Sequence, residues 1–314
     1  MNTTEPTCLT PTPDGIAQAA DLLRTGALVA FPTETVYGLG ADARNGRAVA
    51  AIFEAKGRPS FNPLIVHVLD ATHARRFCHW SDTAEKLASA FWPGPLSLVL
   101  PLTEGHGLSS LVSAGLSTVA LRVPAHPTAR ALLRAFDGPV AAPSANPSGK
   151  ISPTTAQHVS DGLGMRVGAI LDDGPCRVGL ESTIVGLDGP ASLLRPGGLP
   201  AEEIERVLGQ KLSRETEGKI SAPGQLMSHY APNGRVRLNA QRAHDGEVFL
   251  GFGEMTCDLN LSPSGDLTEA ASVLFDCLHQ LDATGSAIAV APIPRQGLGA
   301  AINDRLQRAA APRP

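Results

Sequence analysis

No charged and then apolar segment opens this 314-residue chain, and no run of 18 apolar residues occurs in it, so the sequence predicts a cytoplasmic protein without membrane contact. Its five cysteines (Cys8, Cys78, Cys176, Cys257, Cys277) are odd in number and scattered, with neither CxxC spacing nor neighbouring histidines. That pattern argues against a disulfide framework and against a structural zinc site. Basic residues do not prevail either: 26 Lys and Arg face 30 Asp and Glu, for a net charge of −4. Broad, charge-driven binding of nucleic acid is disfavoured, while a local basic pocket for one anion is not. The chain also lacks GxxxxGK[ST], a GxGxxG after a strand, HExxH and GxSxG. Ordinary nucleotide hydrolases, dehydrogenases, metalloproteases and serine hydrolases therefore find no support.

What is present is a globular composition, 43% hydrophobic and 18% charged, at a length that suits one large domain and one smaller one. Residues 1–14, rich in Thr and Pro, read as a flexible arm. From Gly15 the apolar spacing is helical up to Gly26, and Ala27 to Phe31 reads as the first core strand. Strand and helix patterns then interleave, which predicts an α/β fold on a mixed sheet over 15–210. Residues 211–234 shift to charged and small residues and read as a linker. Over 235–310 a β-β-α-β-α order suggests a small doubly-wound domain.

The densest chemistry lies in FPTETVYGLGADARNGRAVAAIFEAKGRPSFNPLIVHV, Phe31 to Val68. Thr33, Glu34, Thr35 and Tyr37 follow a strand end, where they either cap the next helix or face a ligand. Gly38-Leu39-Gly40 reads as a turn that would let a ligand approach the backbone. Lys56, Arg58 and Asn62 fall within seven residues and can surround a phosphate with charge and directed donors; a solvated basic turn is the alternative. His67 interrupts an apolar strand, where a histidine is more often a core residue than a catalyst. Arg122 in TVALRVP needs either a buried partner or a sheet edge. Ser144, Asn146, Ser148, Lys150 and Ser152 follow a strand directly, in the manner of an anion cradle, and Ser182, Thr183 and Arg195 repeat the theme.

PTETVYGLG, KGRPSFNPLIVHV, WPGPLSLVL, TVALRVP, SANPSGKISPT, ESTIVG, LLRPG and SAPGQLMSHYAP stand in this order. Together they resemble the threonylcarbamoyl-AMP synthase family in its long form, with a YrdC-like catalytic domain, a linker and a Rossmann-like C-terminal domain. The resemblance implies a cytoplasmic nucleotidyltransferase that joins L-threonine, bicarbonate and ATP into threonylcarbamoyl-AMP and pyrophosphate. A downstream transferase would then modify tRNA beside the anticodon. Carried over by motif, Thr35, His67, Arg122, Ala142 and Ser182 would hold threonine. Arg58, Asn62, Thr118, Ser144, Asn146, Ser152 and Arg195 would hold ATP, with Tyr230 of the linker closing over it as a lid. Lys56 and Arg58 would offset charge, and magnesium would arrive on the triphosphate without a protein metal site. Gln225 departs from the Met or Thr usual in the family and leaves the His-Tyr-Ala-Pro core intact.

Two other readings compete. An RNA-binding module would use a concave basic surface of the same domain, against which the acidic net charge and the added C-terminal domain speak. A carbamoyl-transferring maturation factor would be expected to carry acylphosphatase-like and zinc-binding regions, which this chain lacks.

Overall fold

The computed structural model describes residues 6–214 and 229–312. The first domain runs β1 (Thr7–Leu9), α1 (Pro13–Arg24), β2 (Val29–Pro32), β3 (Tyr37–Asp42), α2 (Gly46–Lys56), β4 (Ile65–His67), α3 (Ala71–Ala74), α4 (Asp82–Phe91), β5 (Leu96–Pro101) and α5 (Ser110–Ser113). It continues through β6 (Thr118–Arg122), α6 (Pro127–Phe136), β7 (Val140–Ala141), α7 (Ala156–Leu163), β8 (Ala169–Leu171), β9 (Thr183–Gly186), β10 (Ser192–Arg195), α8 (Ala201–Leu208) and β11 (Ser213–Arg214). These strands form one mixed sheet in the order β1-β8-β2-β3-β7-β4-β6-β5-β9-β10-β11.

Two expectations need correction. Residues 1–14 are not a loose arm where the structure describes them: β1 pairs in parallel with β8, and Leu9 is buried at that edge. The Thr-Pro run that looked aperiodic is a helix start, because the Thr12 hydroxyl accepts from the Gly15 N–H and Pro13 occupies the first turn of α1. Gly38-Leu39-Gly40 is not a turn. It belongs to β3, antiparallel to β2, and the chain reverses instead at residues 33–36, where the Thr33 hydroxyl donates to the Val36 carbonyl. Gly40 is required by crowding: a Cβ there would stand 2.8 Å from the Phe31 ring.

The sheet buries its two faces differently. Val66, Leu98, Leu121 and Val185 point into the main core with α2 and α4. Strand alternation sends their neighbours Ile65, Val99, Ala120 and Ile184 to the opposite face, where they form only a small apolar patch. Polar His67, Ser97 and Arg122 share that second face.

The second domain comprises β12 (Val236–Arg237), β13 (Glu247–Gly251), β14 (Leu259–Asn260), α9 (Leu267–Asp282), β15 (Ala287–Val290) and α10 (Leu298–Ala310), with a four-stranded parallel sheet ordered β12-β15-β13-β14. Its parallel α/β character agrees with the sequence reading, with α9 and α10 both packed on the face of Leu250, Ile288 and Val290, and β14 is a strand the apolar pattern did not disclose. Its core does not end at the domain boundary. Leu274, Phe275 and Leu278 of α9 and Ile302 and Leu306 of α10 share one cluster with Val36, Ile151 and Leu180 of the first domain and with Tyr230. Gly179 has φ +74° and lies so near α9 that a Cβ would stand 2.3 Å from the Ala271 carbonyl oxygen. Of the linker, residues 215–228, including Gln225 and Ser228, lie outside the described residues. His229 onward is part of the interface.

At that interface His158 of α7 stacks on His279 of α9, ring centroids 3.9 Å apart at 18°. His279 Nε2 lies 3.2 Å from the Ser152 carbonyl, and His158 Nε2 lies 3.4 Å from Asp276. Burial, then the neighbouring His158, pushes the His279 imidazole down to about 4, and burial lowers His158 too. Burial takes His229 down to about 3. The folded chain thus resists protonating His279 and His229, which the unfolded chain protonates near about 6.5. Stability is full above that value and falls as pH drops from about 6.5 to about 4, by roughly 2 kcal/mol at pH 5 for each ring that stays neutral. The midpoint of thermal unfolding should accordingly fall by several degrees between pH 7 and pH 5, and less steeply in His279→Gln. An unchanged midpoint would show that the rings take up protons as readily in the folded chain as in the unfolded one.

Candidate active site

The cavity forms where β4 and β6 end side by side. Parallel pairing puts His67 opposite Arg122, and antiparallel pairing of β5 with β6 puts Ser97 opposite the same arginine. Three adjacent strands therefore present a histidine, a guanidinium and a hydroxyl in one row. Arg122 is buried and needs compensation. Its Nη2 donates to Glu34 Oε1 at 2.6 Å, its Nη1 to the Thr35 hydroxyl at 2.9 Å, and its Nε to the Gly94 carbonyl at 3.3 Å. The second Glu34 oxygen accepts from the Ala125 N–H. Burial alone would raise the Glu34 carboxyl, but Arg122 and the Ala125 N–H overcome it and hold the carboxyl below its usual range. One N–H on each terminal nitrogen of Arg122 remains for an incoming carboxylate. His67 is driven well down by burial and by Arg122, so its ring is neutral, and its buried Nδ1 has no hydrogen-bond partner.

A second group of cations lies across the cavity. Helix α2 starts on an Asn45 cap and stops on Gly57 in the left-handed region at φ 60°. That stop turns Arg58 inward, where Nε donates to the Asn62 carbonyl and Nη2 to the Pro63 carbonyl. Burial, with help from Arg195, lowers the Arg58 guanidinium to about 10, leaving it charged at neutral pH. Arg195 ends β10 and donates from Nε and Nη2 to the Ser182 carbonyl, with Nη2 also 3.2 Å from the Ser182 hydroxyl. The Ser182 hydroxyl is in turn 2.8 Å from that of Ser97. Ser182 thus joins the two halves.

Glu181 lines the cavity and is buried. Its Oε1 accepts from the Ser152 hydroxyl, and its Oε2 from Arg305 Nε at 2.8 Å. Burial favours the protonated acid, but Arg305, Arg195 and the Ser152 hydroxyl together hold it ionised. Tyr230 covers this side at φ 61°, its ring stacked on Phe275 and facing the Arg305 guanidinium. The Ala231 N–H donates to the Gly149 carbonyl of the first domain, and the His229 N–H to the Arg308 carbonyl of the second. With these side chains in place the cavity offers only about 40 Å³ to water centres.

Of the residues named from the sequence, Thr35, Arg58, His67, Arg122, Ala142, Ser144, Ser182, Arg195 and Tyr230 line this one cavity. Others do not. Lys56 is fully desolvated behind the wall, where Nζ donates to the Ser144 and Asn146 carbonyls and burial drives its ammonium well below its ordinary range. Asn146 braces the same loop by donating to the Pro147 and Lys150 carbonyls. Ser152 reaches the cavity only through Glu181. Asn62 is buried beside Arg58 with both side-chain atoms lacking hydrogen-bond partners. Thr118 begins β6 opposite Pro101, four residues before Arg122, which places it about 13 Å away along the strand. Sequence reasoning missed Ser97, a lone hydroxyl inside the apolar LSLVL, and Arg305. The latter has a signal in retrospect, since it falls on the buried stripe Ala301, Ile302, Leu306, Ala309 of α10. Among the described residues no group of three or more His, Cys, Asp or Glu could hold a metal, and no helix is long and apolar enough to cross a membrane.

Comparison with known proteins bears on the whole chain. The family model described as "Telomere recombination" matches residues 21–197, and that described as "Threonylcarbamoyl-AMP synthase, C-terminal domain" matches residues 199–311. The threonylcarbamoyl-AMP synthase of Pyrococcus abyssi is 42% identical over 93% of this chain and 92% of its own length. That of Bacillus subtilis is 43% identical over 94% and 92%. The crystal structure of Pyrococcus abyssi Sua5 complexed with L-threonine superposes with a TM-score of 0.89 at 39% identity, covering 97% of each chain. A YrdC-like domain with the cavity on its sheet, continued by the matching C-terminal domain over nearly the full length of these relatives, establishes that the chain belongs to the threonylcarbamoyl-AMP synthase family in its two-domain form.

Proposed function

We propose that the chain makes threonylcarbamoyl-AMP and pyrophosphate from L-threonine, bicarbonate and ATP, as a cytoplasmic nucleotidyltransferase whose product is passed to a threonylcarbamoyl transferase acting on tRNA. The observation that carries this reading is a charge imbalance. Three buried guanidiniums, Arg58, Arg122 and Arg195, line one cavity beside a single lining carboxylate, Glu181, while Glu34 pairs with Arg122 and Asp304 shares Arg305 with Glu181. Such an excess in a desolvated site calls for anionic ligands, and threonine carboxylate, bicarbonate and triphosphate are all anions.

The two halves take different partners. Arg122 would receive the threonine carboxylate end-on, while Thr35 and Ser182 offer hydroxyls. Neutral His67, with its unpartnered Nδ1, suits the amino acid's amine or hydroxyl. Arg58, Asn62, Ser144 and Arg195 would hold the phosphates, and Tyr230 would shelter the nucleotide. The threonine nitrogen attacks the bicarbonate carbon, water leaves, and a carbamate forms. A carbamate oxygen then attacks the α-phosphorus as the bond to the β-phosphate oxygen breaks, and pyrophosphate carries that electron pair away. No protein nucleophile is needed; the work is alignment of anions and stabilisation of charge. Magnesium would supply further charge neutralisation on the phosphates. The cavity carboxylates Glu34 and Glu181 are committed to Arg122 and to Ser152 and Arg305, so its ligands would be phosphate oxygens and water.

Pyrophosphate release from ATP, magnesium and bicarbonate should depend on threonine and yield a threonylcarbamoyl adenylate by mass spectrometry. Release that ignores threonine would dispose of this reading. The division of the cavity predicts that Arg58→Ala raises KM for ATP by roughly 10- to 100-fold and disturbs threonine less. Ser182→Ala should do the reverse, and equal effects on both ligands from each variant would count against the division. Lys56→Met tests a third assignment. If Lys56 acts by bracing the loop, the variant should lose about 2–4 kcal/mol of stability, since two buried carbonyls lose their donor, and weaken ATP binding through Ser144. A collapse of kcat at unchanged stability would instead put Lys56 on the reacting phosphates.

A further inference from the structure

Arg305 is the bulkiest side chain with no exposure, and it comes from the C-terminal domain. Its Nε donates to Glu181 Oε2, its Nη1 donates to Asp304 Oδ2 at 2.6 Å, and its Cζ lies 5.1 Å from the Tyr230 ring centroid. Nη2 is buried without a partner. Packing does not require a cation at this point: the stripe of α10 is otherwise Ala301, Ile302, Leu306 and Ala309, and an apolar residue of similar size is generally at least as stabilising in such a place. The charge has to be explained by what it meets.

Besides Asp304 it meets Glu181, the one carboxylate among the described residues that line the cavity. Glu181 braces Ser152 and lines the cavity, so its negative charge stands where the triphosphate has to come. Uncompensated, it would repel that ligand across a low-dielectric gap. We propose that Arg305 is a positioning residue for ATP. The C-terminal domain supplies the cation that holds and neutralises Glu181, so the carboxylate can fix Ser152 without opposing the phosphates. The inference rests on the assignment of this half of the cavity to ATP. It also gives the second domain a role in the site, through α10.

The test uses the full chain and equilibrium binding of Mg·ATP by calorimetry, which needs no turnover. Arg305→Met should raise the ATP dissociation constant about tenfold or more, with threonine binding changed less than about threefold. Because the harm comes from the exposed charge of Glu181, adding Glu181→Gln should restore most of the lost affinity, and Arg305→Lys should retain most of it. Unchanged ATP binding in Arg305→Met, or a folded double variant that binds as poorly as the single one, overturns the proposal and leaves Arg305 a packing residue. Should Arg305→Met not fold, the charge-balanced double variant decides: folding with ATP binding near the parent's supports the proposal, and failure of either overturns it. A parent protein that binds no ATP would undo the assigned function itself, an outcome distinct from a parent that binds ATP and an Arg305 variant that binds it equally well.

Discussion

The structure depends on keeping several guanidiniums charged and dry at one place. Each is met in a different way: Arg122 by Glu34, Arg305 by Glu181 and Asp304, Arg58 and Arg195 in part by backbone carbonyls. Carbonyl oxygens solvate a cation without cancelling it, so the Arg58 and Arg195 side of the cavity keeps its positive field. The Arg122 side is closer to neutral and is organised for directed hydrogen bonds. The proposed division between a polyanion and a zwitterionic amino acid rests on the same distinction. It follows from which partner each arginine was given.

The polar row at the cavity is set by strand register. His67, Arg122 and Ser97 share a face because β4, β6 and β5 pair with those residues opposite one another, and a slip by one residue in any of them would send its polar group into the apolar core. Val66, Leu98 and Leu121 on the other face make that slip costly, since each is fully buried. The main core therefore fixes the site's geometry although none of its side chains touches the cavity.

Much of this was legible in the sequence, and the exceptions have physical reasons. Apolar periodicity placed α4, α6, β5 and β6 within a residue or two, because their buried faces follow it closely. Strand β3 escaped since Gly38 and Gly40 carry no apolar signal; only its packing on Phe31 shows why side chains are excluded there. An arginine in an apolar strand, such as Arg122, announces a buried partner, yet nothing local identifies that partner as Glu34, 88 residues away. Lys56 shows the converse. Its neighbours suggested phosphate, and the fold spends its ammonium on two carbonyls of the loop after β7.

The C-terminal domain is the least legible part, because its contribution lies entirely in long-range contacts. Tyr230 is held between Phe275 and Arg305, beneath a helix that also carries His279 onto the Ser152 carbonyl. Ligand pockets for drug-sized molecules usually run to about 300–1,000 Å³, far above the 40 Å³ enclosed here. The core strands around His67 and Arg122 are tied into the sheet on both sides. The His229 N–H donates to the Arg308 carbonyl and the Ala231 N–H, beside Tyr230, to the Gly149 carbonyl, so this segment is tied to both domains without a strand pairing. Tyr230 also stacks on Phe275 and faces Arg305, both of which belong to the second domain. One wall of the cavity is thus held in place from outside the large sheet.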